Sequence, residues 1–138
     1  MNQRNAGRAV GVVGLGIMGS SIAANLQKAG FSVLGVEIHA GTRRRMAPLL
    51  SGVSAQVADV VAAGVQHIVT SLPSSRALMA VCEALVQARL AQGGRRRRLV
   101  VAEASTFSLK DKQAARELLA QADIEMIDAP LSGTGAQA

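Results

Sequence analysis

The hexapeptide Gly14-Leu15-Gly16-Ile17-Met18-Gly19 limits the fold of this chain more than any other feature. It follows a valine-rich apolar run, Ala9 to Val13, that reads as a strand. It opens a stretch, Met18 to Ala29, with Ile22, Leu26 and several alanines on one helical face, and Gly30 ends that stretch. At a strand-to-helix bend each glycine has a mechanical task. Gly14 permits the tight turn, Gly16 lets a diphosphate approach the backbone, and Gly19 lets the helix pack closely on the sheet. The free N–H groups and partial positive charge of the helix start then face the phosphates. The whole run, Leu15, Ile17 and Met18 included, is assigned to binding a dinucleotide.

The rest of the chain repeats the alternation. Phe31 to Ile38 reads as a second strand, and Thr42 is placed to cap a short helix through Leu50. Val53 marks a very short third strand, after which Ser54 caps a helix to about Ala63, closed by Gly64. His67 to Leu72 reads as a fourth strand ended by Pro73, and Ser74 or Ser75 opens a helix to about Gln92, broken by Gly93 and Gly94. Arg98 to Ala102 is the fifth strand. Ser108, with Asp111 three residues on, caps a helix to about Ala122, and Ile124 to Ile127 is the sixth strand. Strands alternating with helices imply parallel βαβ units. Six strands and five connections predict an α/β, doubly wound parallel sheet of the Rossmann type, strand order 3-2-1-4-5-6. The 138 residues fit one such domain, with no repeat or linker. Its 49% hydrophobic content is mainly Ala, Val and Leu, with no Trp or Tyr, which suits helices packed on a buried parallel sheet.

Glu37 ends the second strand, 18 residues after Gly19 (37 − 19). A carboxylate there can accept hydrogen bonds from both ribose hydroxyls of the adenosine and would repel a 2′-phosphate, which favours NAD over NADP. Arg43 to Arg45 are the counterweight, because they could bend back toward such a phosphate.

The formal charge is +6, but seven of the fifteen basic residues lie in Arg43 to Arg45 and Arg95 to Arg98. Both runs read as solvated surface, and no basic stripe is interleaved with aromatic residues, so a nucleic-acid partner is not expected. No apolar stretch reaches the length of a membrane span, and the N-terminal segment is no signal-peptide core, which makes the cytoplasm the expected compartment. Cys82 is the only cysteine and reads as a small buried helix residue. His39 and His67 have no metal-ligand spacing around them, and His67 reads as a satisfied structural residue of its strand.

Read as GLGIMGSSIAANL, residues 14–26 resemble the opening of the β-hydroxyacid dehydrogenases, which include 3-hydroxyisobutyrate dehydrogenases and tartronate semialdehyde reductases. Three later motifs fall in the same order. Ser71-Leu72-Pro73 is similar to a Leu-Pro loop that lies along the cofactor. Glu103-Ala104-Ser105-Thr106 resembles a motif that usually begins with Asp, and its Thr, here Thr106, lies near the nicotinamide. Asp128-Ala129-Pro130-Leu131-Ser132-Gly133 resembles the substrate-binding segment. The resemblance implies that Ser132, Gly133 and Thr134 hold a small substrate carboxylate, although Thr134 stands where a second Gly is usual.

The resemblance further implies hydride transfer between a nicotinamide cofactor and a small 3-hydroxy acid. The reaction needs a general acid/base, usually a Lys, well beyond the Ser-Gly segment. Neither Lys110 nor Lys112 matches its motif. It is therefore expected beyond Ala138, with the helical domain that closes the active site and builds a homo-oligomer. On this reading the chain is a truncated form, a gene fragment or one half of a split protein, and is inactive alone. Two other readings stay open: a non-catalytic dinucleotide-binding module or subunit, and a relative of imine reductases or 6-phosphogluconate dehydrogenase.

Overall fold

A computed structural model describes residues 8–94 and 96–132. The elements follow in the order β1 (Ala9–Val13), α1 (Ile17–Lys28), β2 (Ser32–Val36), α2 (Ala40–Met46), a 3-10 turn (Ala47–Leu49), β3 (Gly52–Ser54), α3 (Val57–Ala62), β4 (His67–Thr70), α4 (Ser75–Ala91), β5 (Leu99–Glu103), α5 (Leu109–Ala120) and β6 (Ile124–Asp128). All strand pairs are parallel, and the sheet order is β3-β2-β1-β4-β5-β6, as the alternation predicted.

Period-two alternation feeds a separate core on each face of the sheet. Val12 joins Leu15, Ala23, Val33, Met46 and Leu50 on the side of α1 and α2. Val13, its neighbour, joins the larger cluster on the side of α3, α4 and α5, where Ile68, Leu78, Leu85, Val101 and Leu119 are almost fully buried. A sheet covered on both faces explains the near-continuous apolar strands. Among the described residues no helix is long and apolar enough to cross a membrane.

Two helix starts depart from the sequence reading. Thr42 lies inside α2, whose cap position is the extended His39, and Pro48, which has no N–H to give, ends that helix at Met46. Ser54 closes β3 rather than capping α3. Its hydroxyl accepts from the Gln56 amide at 2.9 Å and donates to the Asp59 carboxylate, so α3 begins only at Val57. The other two caps are as expected: Ser74 Oγ accepts from Ala77 N, and Ser108 Oγ from Asp111 N. His67 begins β4 and is exposed, not enclosed by its strand's neighbours.

Candidate functional site

The sheet order reverses between β1 and β4, and ligands of open parallel sheets bind outside the strand ends at such a switch point. The glycine loop lies there. Gly14 has φ +92°, a conformation that disfavours a side chain, and a Cβ on it would stand 2.0 Å from the Ser71 carbonyl oxygen. A Cβ on Gly19 would stand 1.8 Å from the Gly14 oxygen, so α1 rests directly on the loop. Among the described residues, the position of a Cβ at Gly16 meets nothing within 4 Å. The space over Gly16 is open, and Gly16 caps α1 with no side-chain acceptor and no acidic residue in the first helical turn. The positive end of a 12-residue helix is therefore uncompensated by its own side chains. Leu15 is fully buried and anchors the loop in the core, whereas Ile17 is exposed and Met18 half-buried.

Glu37 faces this loop. Its Oε2 accepts from Leu15 N at 2.8 Å and its Oε1 from His39 N at 3.3 Å. The carboxylate thus ties the end of β2 to the glycine loop, a tie invisible in the spacing alone. Arg43 does not reach outward as a free cation. Its Nη1 donates to the carbonyls of Glu37 at 2.7 Å and Ile38 at 2.8 Å.

Gly14, Glu37, Ile38, Leu72, Pro73 and Val81 share the walls of a cleft of about 240 Å³, whose only polar side chains among the described residues are Glu37 and His39. An apolar slot with one carboxylate at its rim suits a flat heterocycle joined to a sugar. The donor set therefore fits a dinucleotide: open space over Gly16, a bare helix start and a carboxylate beside the slot.

Thr106 and Ser132 do not line that cleft. Both are exposed, in the segments after β5 and β6. Gly133 and Thr134 lie outside the described residues. Behind Thr106 is a constellation that the sequence reading did not assemble. Glu103, fully buried, has Oε1 accepting from Thr70 Oγ1 at 3.2 Å and from Ser105 N at 3.1 Å. Its Oε2 lies 2.5 Å from Lys112 Nζ. Lys112 Nζ also donates to Asp128 Oδ1 at 2.6 Å, to the Ser105 carbonyl at 2.7 Å and, more weakly, to the Glu103 carbonyl at 3.4 Å. Burial works against the ammonium charge, but the hydrogen bonds to Asp128 and Glu103 outweigh it, so the Lys112 pKa is raised. Ser105 Oγ in turn accepts from Leu72 N at 2.8 Å, linking this constellation to the Leu-Pro loop. One signal could have pointed to Lys112. It shares a helical stripe with the buried Ala115 and Leu119, at spacings of three and seven.

Cys82 is buried in α4, and burial, with Glu103 and Glu83 nearby, pushes its thiol up to about 12. Arg96 and Arg97 are exposed, and Arg98 makes an exposed ion pair with Glu125 at 2.5 Å. These residues precede β5, at the strand end opposite the crevice.

The chain matches the family described as the NAD binding domain of 6-phosphogluconate dehydrogenase over residues 9–138. No curated protein matches it. Among solved structures it is similar to 3-hydroxyisobutyrate dehydrogenase of Mycobacterium tuberculosis, determined with L-serine, at 24% identity and a TM-score of 0.82, covering 94% of this chain and 42% of that one. The 3-hydroxyisobutyrate dehydrogenase of Salmonella typhimurium is 27% identical, with a TM-score of 0.78 and coverage of 95% and 44%. A variant imine reductase of Myxococcus stipitatus, in complex with NAD+, shares the fold at 16% identity, with a TM-score of 0.80 and coverage of 94% and 42%. The chain thus spans less than half the length of each of these proteins.

Proposed function

The chain belongs to the family of the NAD-binding domain of 6-phosphogluconate dehydrogenase, and from that premise we propose that it is the cofactor-holding part of an oxidoreductase acting on a small 3-hydroxy acid with NAD. One observation carries the proposal: the unfilled space over Gly16 at the uncapped start of α1, with the Glu37 carboxylate across the loop. The amides of Ile17 and Met18 and the α1 dipole hold the diphosphate. Glu37, fixed through Leu15 N, keeps its remaining lone pairs for the ribose hydroxyls, and the cleft beside Leu72 and Pro73 takes the adenine. Bound NAD supplies the hydride acceptor. Thr106 faces the nicotinamide end, and Ser132 with Gly133 and Thr134 receives the substrate carboxylate.

Lys112 is not the acid/base in this account. Its ammonium is enclosed by oxygen acceptors and held in its charged form, so it has no proton-accepting lone pair to offer. The acid/base of the complete enzyme is a lysine of a helical portion, which also makes that enzyme a cytoplasmic homo-oligomer. NAD is preferred to NADP because Glu37 would repel a 2′-phosphate and Arg43 is already engaged by two carbonyls. Fluorescence titration with NADH and NADPH tests this directly. Tighter binding of NADH is expected, and tighter binding of NADPH overturns the NAD assignment.

A further inference from the structure

Outside the adenosine cleft, one cluster of buried ionisable groups has no task in the account above, and it sits between the two segments that would hold the nicotinamide and the substrate. We propose that Lys112 is a positioning residue, whose ammonium locks the Thr106 loop and the segment from Asp128 to Ser132 into one fixed arrangement around the nicotinamide. This inference rests on the NAD reading.

Glu103 and Asp128 are register partners at the ends of β5 and β6, so two carboxylates stand side by side at the crevice. Left alone they would repel each other. Lys112 enters from the first turns of α5 and lies within 2.6 Å of both. The same ammonium takes the Ser105 carbonyl at 2.7 Å. Ser105 C=O and Thr106 N–H belong to one planar peptide unit and point in opposite directions. Holding that oxygen inward therefore aims the Thr106 amide outward.

On the other side, Asp128 pins the last residue of β6. Beyond it, Ala129 N donates to Glu103 O at 2.9 Å and Leu131 N to Ala104 O at 3.2 Å, which carries the fixed geometry on to Ser132. The Leu72 amide joins through Ser105 Oγ, so three crevice loops meet at this joint.

An apolar side chain would continue the stripe of Ala115 and Leu119 without the desolvation penalty that buried ions incur. Such a side chain would not orient a carbonyl or join two carboxylates. Fixing geometry is what the ammonium adds.

The test compares two ligands that differ only beyond the diphosphate. NADH carries the nicotinamide riboside; ADP-ribose carries the adenosine and diphosphate without the nicotinamide. Both are titrated calorimetrically into the 138-residue chain and into the paired variant Glu103→Gln/Lys112→Met, which removes both charges of the buried pair together. ADP-ribose affinity is expected to hold to within about twofold, while the advantage of NADH over ADP-ribose shrinks by about three- to tenfold, the range of one or two lost hydrogen bonds. Asp128→Asn, which leaves the Lys112–Glu103 pair intact, should shift the same ratio in the same direction by less, and it serves if the paired variant does not fold. Parallel weakening of both ligands, an unchanged ratio, or a wild-type chain with no preference for NADH would each overturn the proposal. A folded wild-type chain that binds neither ligand would instead remove the cofactor reading itself, and the joint with it.

Discussion

Around β1 and β2 the crevice is shaped by the absence of side chains, whereas around β5 and β6 it is shaped by buried charge. On the first side Gly14, Gly16 and Gly19 leave backbone against backbone, and one carboxylate, Glu37, fastens the loop. On the second side Lys112 binds the ends of two strands through two carboxylates and two carbonyls. The difference follows from what each side must hold. A diphosphate is met by amides and a helix end, which need close approach. A reacting ring and a substrate carboxylate need neighbouring loops kept in a fixed relation, and strand ends joined only by ladder hydrogen bonds do not supply that.

The largest expected effects come from filling the first side. Gly19→Ala and Gly14→Ala each drive a methyl into a backbone carbonyl and should cost about 3 kcal/mol or more in urea unfolding. Gly16→Ala meets open space and should cost about 1 kcal/mol or less, a helix-cap effect, while weakening NADH binding far more than it weakens the fold. If Gly16→Ala left NADH affinity intact, the contrast between packing glycines and a ligand-facing glycine would fail.

Next in size is the buried charge. Lys112→Met alone leaves Glu103 uncompensated and should cost about 3 kcal/mol or more, and adding Glu103→Gln should recover much of that loss. Equal stabilities for the single and paired variants would show that the charges are not coupled. Glu37→Gln keeps an acceptor for Leu15 N and gives up the longer bond from His39 N, so it should lower the unfolding midpoint only slightly and NADH affinity by about tenfold.

Near neutral pH the titration effects are the smallest, and they grow only above about pH 8.5. The Cys82 thiol is raised to about 12, above its unfolded value of about 8.5, so its contribution is complete below about pH 8.5 and is lost as the pH climbs toward 12. Lys112 is also raised, so its contribution is complete below the ordinary lysine value of about 10.4 and is lost above it. Urea midpoints measured from pH 7 to 11 should decline in two stages. Cys82→Ala should remove the first stage and Lys112→Met the second.

The two sides also differed in how far the sequence revealed them. The glycine loop, the strand order and the membership in a dehydrogenase family were legible because their signals are local: three glycines at fixed spacing, a valine run before them and Glu37 after them. Ser74 and Ser108 were legible as caps for the same reason. Ser54 and Thr42 carried the same local signal and misled, because a side-chain competitor, Asp59, took the first and the chain entered α2 three residues earlier for the second. The Lys112 joint was not legible. Its partners lie 9 and 16 residues away along the chain, and only the pairing of β5 with β6 brings them together. Arg43 was read as solvated surface that could bend back toward a 2′-phosphate, and it instead clasps the carbonyls at the end of β2, a local contact that composition cannot show.

Isothermal titration of NADH into the purified chain, with circular dichroism on the same sample to verify the fold, bears most directly on the glycine loop as a dinucleotide cradle. Saturable binding at one site per chain is expected, matched in its adenosine portion by ADP-ribose and strongly weakened by Gly16→Ala. A well-folded chain that takes up neither molecule would contradict it.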